Sequence, residues 1–232
     1  ITIDMAGYNM TGDANSYTDK GIDNSGAYDN ITVYNGKFVD FGFGGVYSTG
    51  DGGNYTNLTI SANGDFGMLL WGIYLNGDNN FVTNSNLSNL VTTLSTSYSY
   101  GIHLGSSSNN TLTNNVLNSN SGVTAGYGIS LTSSKNNTLT NNTANSNTLH
   151  GIYFTSSSHN KITGGNYSSN TFNDTLLTST SINNTFLNVS YDNEGVAAGS
   201  ELIRKWYYQA YVNDTSGNPV SNARVLGYND EA

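Results

Sequence analysis

The chain has no cysteine and a single proline, Pro219, in 232 residues. Disulfides therefore add nothing to its stability, and its redox compartment cannot be read from thiols. Charge is also scarce: 10% of residues are charged, with 7 Lys and Arg against 16 Asp and Glu, giving a net −9. A surface for nucleic acid needs clustered cations that displace counterions from phosphates. No basic stripe exists, which excludes nucleic acid as a partner. No apolar run reaches the roughly 18 residues of a membrane-spanning helix, so no membrane span is expected in this chain. It begins at Ile1 with neither methionine nor leader, as expected of a processed, secreted product. What abounds is uncharged polarity, with 38 asparagines, 27 glycines and 17 tyrosines. Disordered chains combine high charge with few aromatics, so this composition predicts a folded chain.

A short phrase recurs seven times, an asparagine followed three places later by an aliphatic or aromatic residue. The pairs are Asn30 with Val33, Asn57 with Ile60, Asn79 with Val82, Asn109 with Leu112, Asn136 with Leu139, His159 with Ile162 and Asn183 with Phe186. Histidine replaces asparagine only in the sixth. A second column runs in step: Gly21-Ile22, Gly45-Val46, Gly72-Ile73, Gly101-Ile102, Gly128-Ile129 and Gly151-Ile152. Its glycines are spaced 24, 27, 29, 27 and 23 residues apart, the period of a solenoid. In the two cleanest repeats, beginning at Tyr100 and Tyr127, Gly-Ile-x-Leu and Asn-Thr-Leu-Thr alternate with period two, the signature of short strands with one buried face. No period of 3.6 is sustained, so helical repeats are excluded. The expected fold is all-β: a right-handed parallel β-helix of about seven coils, with handedness taken from the crossover rule. Ile102, Leu104 and Leu112 should point inward, with Ile129, Leu131 and Leu139 about 4.8 Å above them.

The recurring asparagines have a structural reason to stack, since an amide at a corner can bond its own backbone and the matching amide one coil away. The expected ladder is Asn30, Asn57, Asn79, Asn109, Asn136 and Asn183, facing inward with the aliphatic row. A second column (Asn80, Asn110, Asn137, Asn160, Asn184) sits beside it, and a third (Asn35, Asn84, Asn114, Asn141, Asn188) follows the aliphatic residue by two. Thirteen Asn-x-Ser/Thr sequons occur, of which those at Asn30, Asn57, Asn109, Asn136 and Asn183 fall on the ladder. Inward asparagines cannot carry glycans, so glycosylation is expected at Asn9, Asn54, Asn86, Asn166, Asn173 and Asn213.

The wording Tyr-Gly-Ile-x-Leu-x-Ser-Ser-x-Asn-Asn-Thr-Leu-Thr-Asn-Asn, at Tyr100 and Tyr127, resembles the parallel β-helix repeat family of NosD-like and archaeal cell-surface, adhesin-like proteins. That resemblance covers roughly residues 1–190 and implies a fold shared by lyases, hydrolases, epimerases and passive surface proteins. Residues 1–195 are therefore read as the β-helix and 196–232 as a separate C-terminal module. There, the runs Trp206 to Val212 and Ala223 to Tyr228 flank a turn at Asp214 to Pro219. The turn wording resembles the start of Ig-like or carboxypeptidase-regulatory-like β modules, which implies a β-hairpin or partial β-sandwich. Two strands are too few for a sandwich, which leaves three explanations: the segment with Trp206, Tyr208, Tyr211, Val225 and Tyr228 packs on the β-helix, the natural chain continues beyond Ala232, or a neighbouring subunit completes the sheet by strand addition.

Chemistry is thin along the coils. A lyase needs a basic residue beside acidic calcium ligands, yet Arg204 and Arg224 lie after the repeats, and Lys20, Lys37, Lys135 and Lys161 fall in different columns. Paired-carboxylate hydrolysis needs two acids within about 10 Å, and nothing between Asp78 and Asp174 is acidic. An enzyme on this scaffold would need acids that successive coils bring together, as Asp40, Asp51, Asp65 and Asp78 could be. The NosD resemblance implies copper, but His103, His150 and His159 share no column. Calcium is only weakly suggested, by Asp51-Gly-Gly, Asn76 to Asn80 and Asp192 to Glu194. Tyr74 and Tyr153 could stack on sugars, although coil-to-coil stacking is the simpler reading. The expectation is a non-enzymatic extracellular glycoprotein of an archaeal cell surface, without cofactor. It would be a homopolymer subunit of a filament, sheath or S-layer, joined by end coils or strand addition. An adhesin with glycan partners and a carbohydrate-active enzyme are the alternatives.

Overall fold

The computed structural model describes residues 1–13, 18–61, 63–64, 69–207 and 211–223, and every regular element in them is a strand. Among these residues no helix is long and apolar enough to cross a membrane. A ten-stranded parallel sheet runs from Thr2–Asp4 through Thr32–Val39, Asn54–Ser61 and the three-residue strands to Asn184–Leu187 and Leu202–Lys205. An eight-stranded parallel sheet runs from Lys20–Asn24 through Tyr98–Gly105 and Ala125–Thr132 to Glu194–Val196. Isolated parallel bridges linking Thr59, Asn86, Val116, Thr143, Asn166 and Ser190 make a third wall. Each strand pairs with its equivalent about one repeat away, as in a parallel β-helix.

Val82, Leu112, Leu139 and Ile162 form one continuous internal row, each fully buried. Val33 also lies in that row and Phe186 extends it, but the member between Val33 and Val82 is Tyr55 and not Ile60. Ile60 pairs with Phe38 in a neighbouring row. The reason is that the same three-residue spacing recurs at the next corner, as in Asn84 with Leu87 and Asn114 with Leu117. Asn57 belongs to that corner, where its amide donates to Asn35 Oδ1 at 2.8 Å. Gly52, at φ 67°, takes the vacated place in the first column.

The first column faces outward, which corrects the inward ladder expected from sequence. Asn30, Asn57, Asn79, Asn109, Asn136 and Asn183 have φ between 54° and 60° and are exposed, as is His159 at 59°. Asparagine tolerates this left-handed conformation better than most residues, and it turns the chain so that the following side chain points in. Those following side chains form the buried ladder. Asn110 donates from both its backbone N and Nδ2 to Asn137 Oδ1 (2.8 and 2.9 Å), and Asn137 donates likewise to Asn160 Oδ1 (2.9 and 3.0 Å). Two further corners repeat the device, with Asn115 on Asn142, and with Asn120 on Asn147 and Asn147 on Asn170.

Glycine recurs for lack of space. A Cβ at Gly128 would lie 2.4 Å from Ala144 Cβ and 2.6 Å from the Gly151 carbonyl. The paired register passes over Gly101 and Gly128 together, so both strands break their alternation at the same place without a change of register. That break leaves Tyr100 and His103, three residues apart, on the same outer face.

After Lys205 the described residues form no further ladder. A single antiparallel bridge joins Asn213 to Pro219, and the Asp214 carboxylate accepts hydrogen bonds from the backbone N of Ser216 and Asn218. Val225 and Tyr228, in the second expected run, lie outside the described residues, as does Tyr208 in the first.

The two members of one doublet separate these roles. Asn137→Ala strips a buried acceptor from Asn110 and a donor from Asn160 and the Ser107 carbonyl. It should destabilise the protein by about 3 kcal/mol or more. Asn136→Gly keeps the left-handed corner and should change stability by less than about 1 kcal/mol. Urea unfolding of the two variants checks the difference.

Candidate functional site

The most conspicuous outer surface lies on the eight-stranded sheet, where two columns of rings run side by side. One holds Trp71, Tyr100, Tyr127 and His150, and the other Tyr47, Tyr74, His103 and Tyr153. Tyr47 stacks on Tyr74 at 4.8 Å and 5°, and Tyr74 on His103 at 5.4 Å and 10°. Ser130 interrupts that column, and the stack crosses through Tyr100 to Tyr127 (4.9 Å, 5°) and back to Tyr153 (5.5 Å). Lys20 closes one end, with its ammonium 4.7 Å from the Tyr47 ring centre and 2.9 Å from Asp23 Oδ2. At the other end the Tyr153 hydroxyl meets Thr178 Oγ1 at 3.1 Å.

This geometry determines what the stripe can do. Near-parallel rings at these separations cover one another's faces along the rod axis. A sugar platform needs an open ring face, whereas the stripe presents mostly ring edges. The physical consequence is desolvation of the polar groups. Burial pushes the Tyr127 hydroxyl up to about 12, and it raises Tyr100 further with help from the phenols of Tyr127, Tyr98 and Tyr153. Burial also lowers His103 to about 4, and its Nδ1 is covered without a partner. His150 is lowered by burial too, against the opposing hydrogen bond from its ring to the Asn173 backbone.

The other candidates are dispersed. Asp51 and Asp78 share a corner column with Asp29: Asp51 N donates to Asp29 Oδ1 (2.9 Å), Asp78 N to Asp51 Oδ1 (2.7 Å), and Ser108 N to Asp78 Oδ1 (2.6 Å). These carboxylates cap the backbone of the next coil. Asp40 stands at a different corner, after Thr32–Val39, and Asp65 lies outside the described residues. In the third oxygen-rich turn, Glu194 is held by Arg204 and Tyr191. Among the sequons, Asn9, Asn54, Asn86 and Asn213 are exposed, while Asn166 and Asn173 are half-buried. The five sequons set aside as inward also sit on exposed residues. Trp206 and Tyr211 are 62% and 78% exposed.

Two features escaped the sequence reading. One is the pair of extra buried amide columns, which the doublets Asn114-Asn115 and Asn141-Asn142 signalled. The other is a cleft of about 410 Å³ on the ten-stranded sheet, lined by His159, Lys161, Asn183, Thr185, Leu187 and Lys205. It joins residues too far apart in sequence for any local motif.

With this geometry in hand, the comparisons place the chain. A family profile described as periplasmic copper-binding protein (NosD) matches residues 6–200. The chain belongs to the NosD family. Periplasmic alginate epimerase AlgG is similar in fold: one variant of it has 20% identity over 74% of this chain and 46% of that chain, with a TM-score of 0.49. The AlgG structure itself has 18% identity over 72% and 51%, with a TM-score of 0.38. This NosD-family chain thus spans about half the length of those structures. No curated protein matches it.

Copper, which the family description names, does not fit the described residues. His150 Nδ1 is engaged with the Asn173 backbone, His159 Nε2 meets Asn183 Nδ2 at 3.2 Å, and His103 stands in another column. No three His, Cys, Asp or Glu among the described residues converge on one point, as a copper site requires.

His103 provides a test of the stripe. Its folded pKa lies below the unfolded 6.5, so the unfolded chain binds the proton first and stability falls as pH drops from 6.5 through about 4. His103→Tyr should remove up to about 3 kcal/mol of that acid loss. Comparing the unfolding midpoints of both proteins across this window measures the effect; parallel pH profiles would contradict it.

Proposed function

We propose that this NosD-family protein is a structural rod of the extracytoplasmic surface that holds its neighbours through the C-terminal segment. The observation behind this reading is that Trp206, Tyr207, Tyr211, Val212 and Val220, all beyond the last rung, are apolar and exposed. Such a run suits strand addition to another subunit, because an isolated hairpin is marginal in water. The coils supply the complementary property, stiffness. Their recurring asparagines, serines and aromatic rings are engaged with equivalents one rung away. A location outside the cytoplasm follows the periplasmic description of the family.

A second reading, glycan binding, is favoured by the cleft between Lys161 and Lys205. Two of the chain's few cations meet there beside His159 and Asn183, a setting suited to an acidic sugar.

Limited digestion with a protease that cuts after aromatic residues should cleave first at Trp206, Tyr207 or Tyr211 and leave the coils intact. Intact protein at high concentration should then form ordered filaments or sheets in negative stain, and clipped protein single rods. Dispersed intact protein would overturn the assembly role, and acidic-sugar affinity in the clipped rods would favour the second reading.

A further inference from the structure

The two ends of the rod are chemically unlike. At the N-terminal end, the internal rows open with Ile3 on the ten-stranded sheet and Ile22 on the eight-stranded one, both apolar and only partly buried against the core. At the C-terminal end the same two rows close on charge. The row Val82, Leu112, Leu139, Ile162 and Phe186 ends in Arg204, and the row Ile102, Ile129, Ile152 and Thr175 ends in Glu194.

Register directs both side chains over the end of the core, where they meet. Arg204 Nε donates to Glu194 Oε2 at 3.0 Å, and Nη2 donates to Oε1. The Tyr191 hydroxyl donates to Glu194 Oε2 at 2.8 Å, and its ring sits edge-on to Phe186, 5.6 Å away. Arg204 Nη1 also donates to the Leu202 carbonyl at 3.0 Å. Thr175 and Phe186 beneath are buried. The pair is therefore a lid, with bidentate geometry satisfied on its inner side and solvent on its outer side.

We propose that this lid blocks a coaxial interface with a second copy of the chain, an interface that the backbone otherwise offers. Leu202–Lys205 and Glu194–Val196 end their sheets with one edge unpaired among the described residues, and Thr2–Asp4 and Lys20–Asn24 end the same sheets at the opposite pole. All are parallel and in register with the columns between them. Continuing the columns by one rung sets Ile203 over Thr2 and Lys205 over Asp4 of the next copy, an opposite-charge match at the rim. The same step sets Arg204 over Ile3 and Glu194 over Ile22. Docking would thus seal both charges between apolar rows and remove the water that solvates the outer side of the lid. Burying such a pair is favourable only when every remaining donor and acceptor finds a partner, and Ile3 and Ile22 supply none. The lid thereby keeps the unpaired edges from templating a fibre through the coils. This goes beyond the tail-mediated assembly proposed above and does not depend on it.

Because the chain lacks cysteine, an engineered thiol pair reports coaxial docking directly. Asp4→Cys and Lys205→Cys lie at opposite poles of one rod, so a disulfide between them joins two copies. With the native lid in place, oxidation should leave this thiol pair without a cross-link between copies. Adding Glu194→Val and Arg204→Val should raise the cross-linked fraction roughly tenfold or more and give collinear rods of unchanged width. The exchanged pair, Glu194→Arg with Arg204→Glu, should abolish the cross-link again. Where the valine variant does not fold, Glu194→Gln with Arg204→Met keeps side-chain volume and should cross-link in the same way. Cross-linking with the native lid intact, or folded lid-free rods that do not cross-link, would overturn the inference.

Discussion

The structure depends on one constraint: each rung must lie directly over the last so that a buried amide oxygen in one coil accepts from the backbone and side chain of its equivalent in the coil before. A left-handed corner residue such as Asn109 or Asn136 turns the chain outward, and the residue after it, Asn110 or Asn137, is thereby aimed into the core. A buried amide is costly unless paired. Stacking the same amide in register supplies the partner, so the polar corners and the apolar rows require the same alignment. A slip of one residue in any coil would leave Asn110, Asn137 and Asn160 unpaired and expose Leu112, Leu139 and Ile162.

The faces of the rod follow from that alignment. Rings brought to one spacing stack on one another, which makes the outer stripe stiff and closes most ring faces to a ligand. Carboxylates brought to the same spacing cap backbone groups, as Asp51 and Asp78 do, and do not gather into a metal site. Periodicity thus favours internal contacts over a converging active centre. The exceptions lie where the period ends: in the charged lid of Glu194 and Arg204, in the cleft beside Lys161 and Lys205, and in the exposed aromatics after Lys205.

Much of this was legible in the sequence because a solenoid writes its contacts as a period. The row of Val82, Leu112, Leu139 and Ile162 is visible from spacing alone, and so is the place of His150 beside Tyr127 in the ring column. The side each asparagine faces was not legible, because adjacent asparagines such as Asn109 and Asn110 are chemically identical and only backbone conformation distinguishes them. Ile60 was misplaced because two corners share one spacing. The lid was hidden for another reason: Glu194 and Arg204 break the apolar pattern, and a broken pattern looks like the end of a repeat. Only register reveals that they still occupy its rows. The cleft at His159 and Lys205 draws on three rungs, and no local motif spans that distance.

The account is tested most directly by amide hydrogen exchange at Asn110, Asn137 and Asn160, whose backbone N–H groups donate to a side-chain oxygen one coil away and to no carbonyl of a strand. If the stacked amides hold the coils in register, these three protons should exchange only with global unfolding, as slowly as those of Leu112 and Leu139. Exchange as fast as in the exposed residues after Lys205 would show that the buried ladder does not hold the rod together.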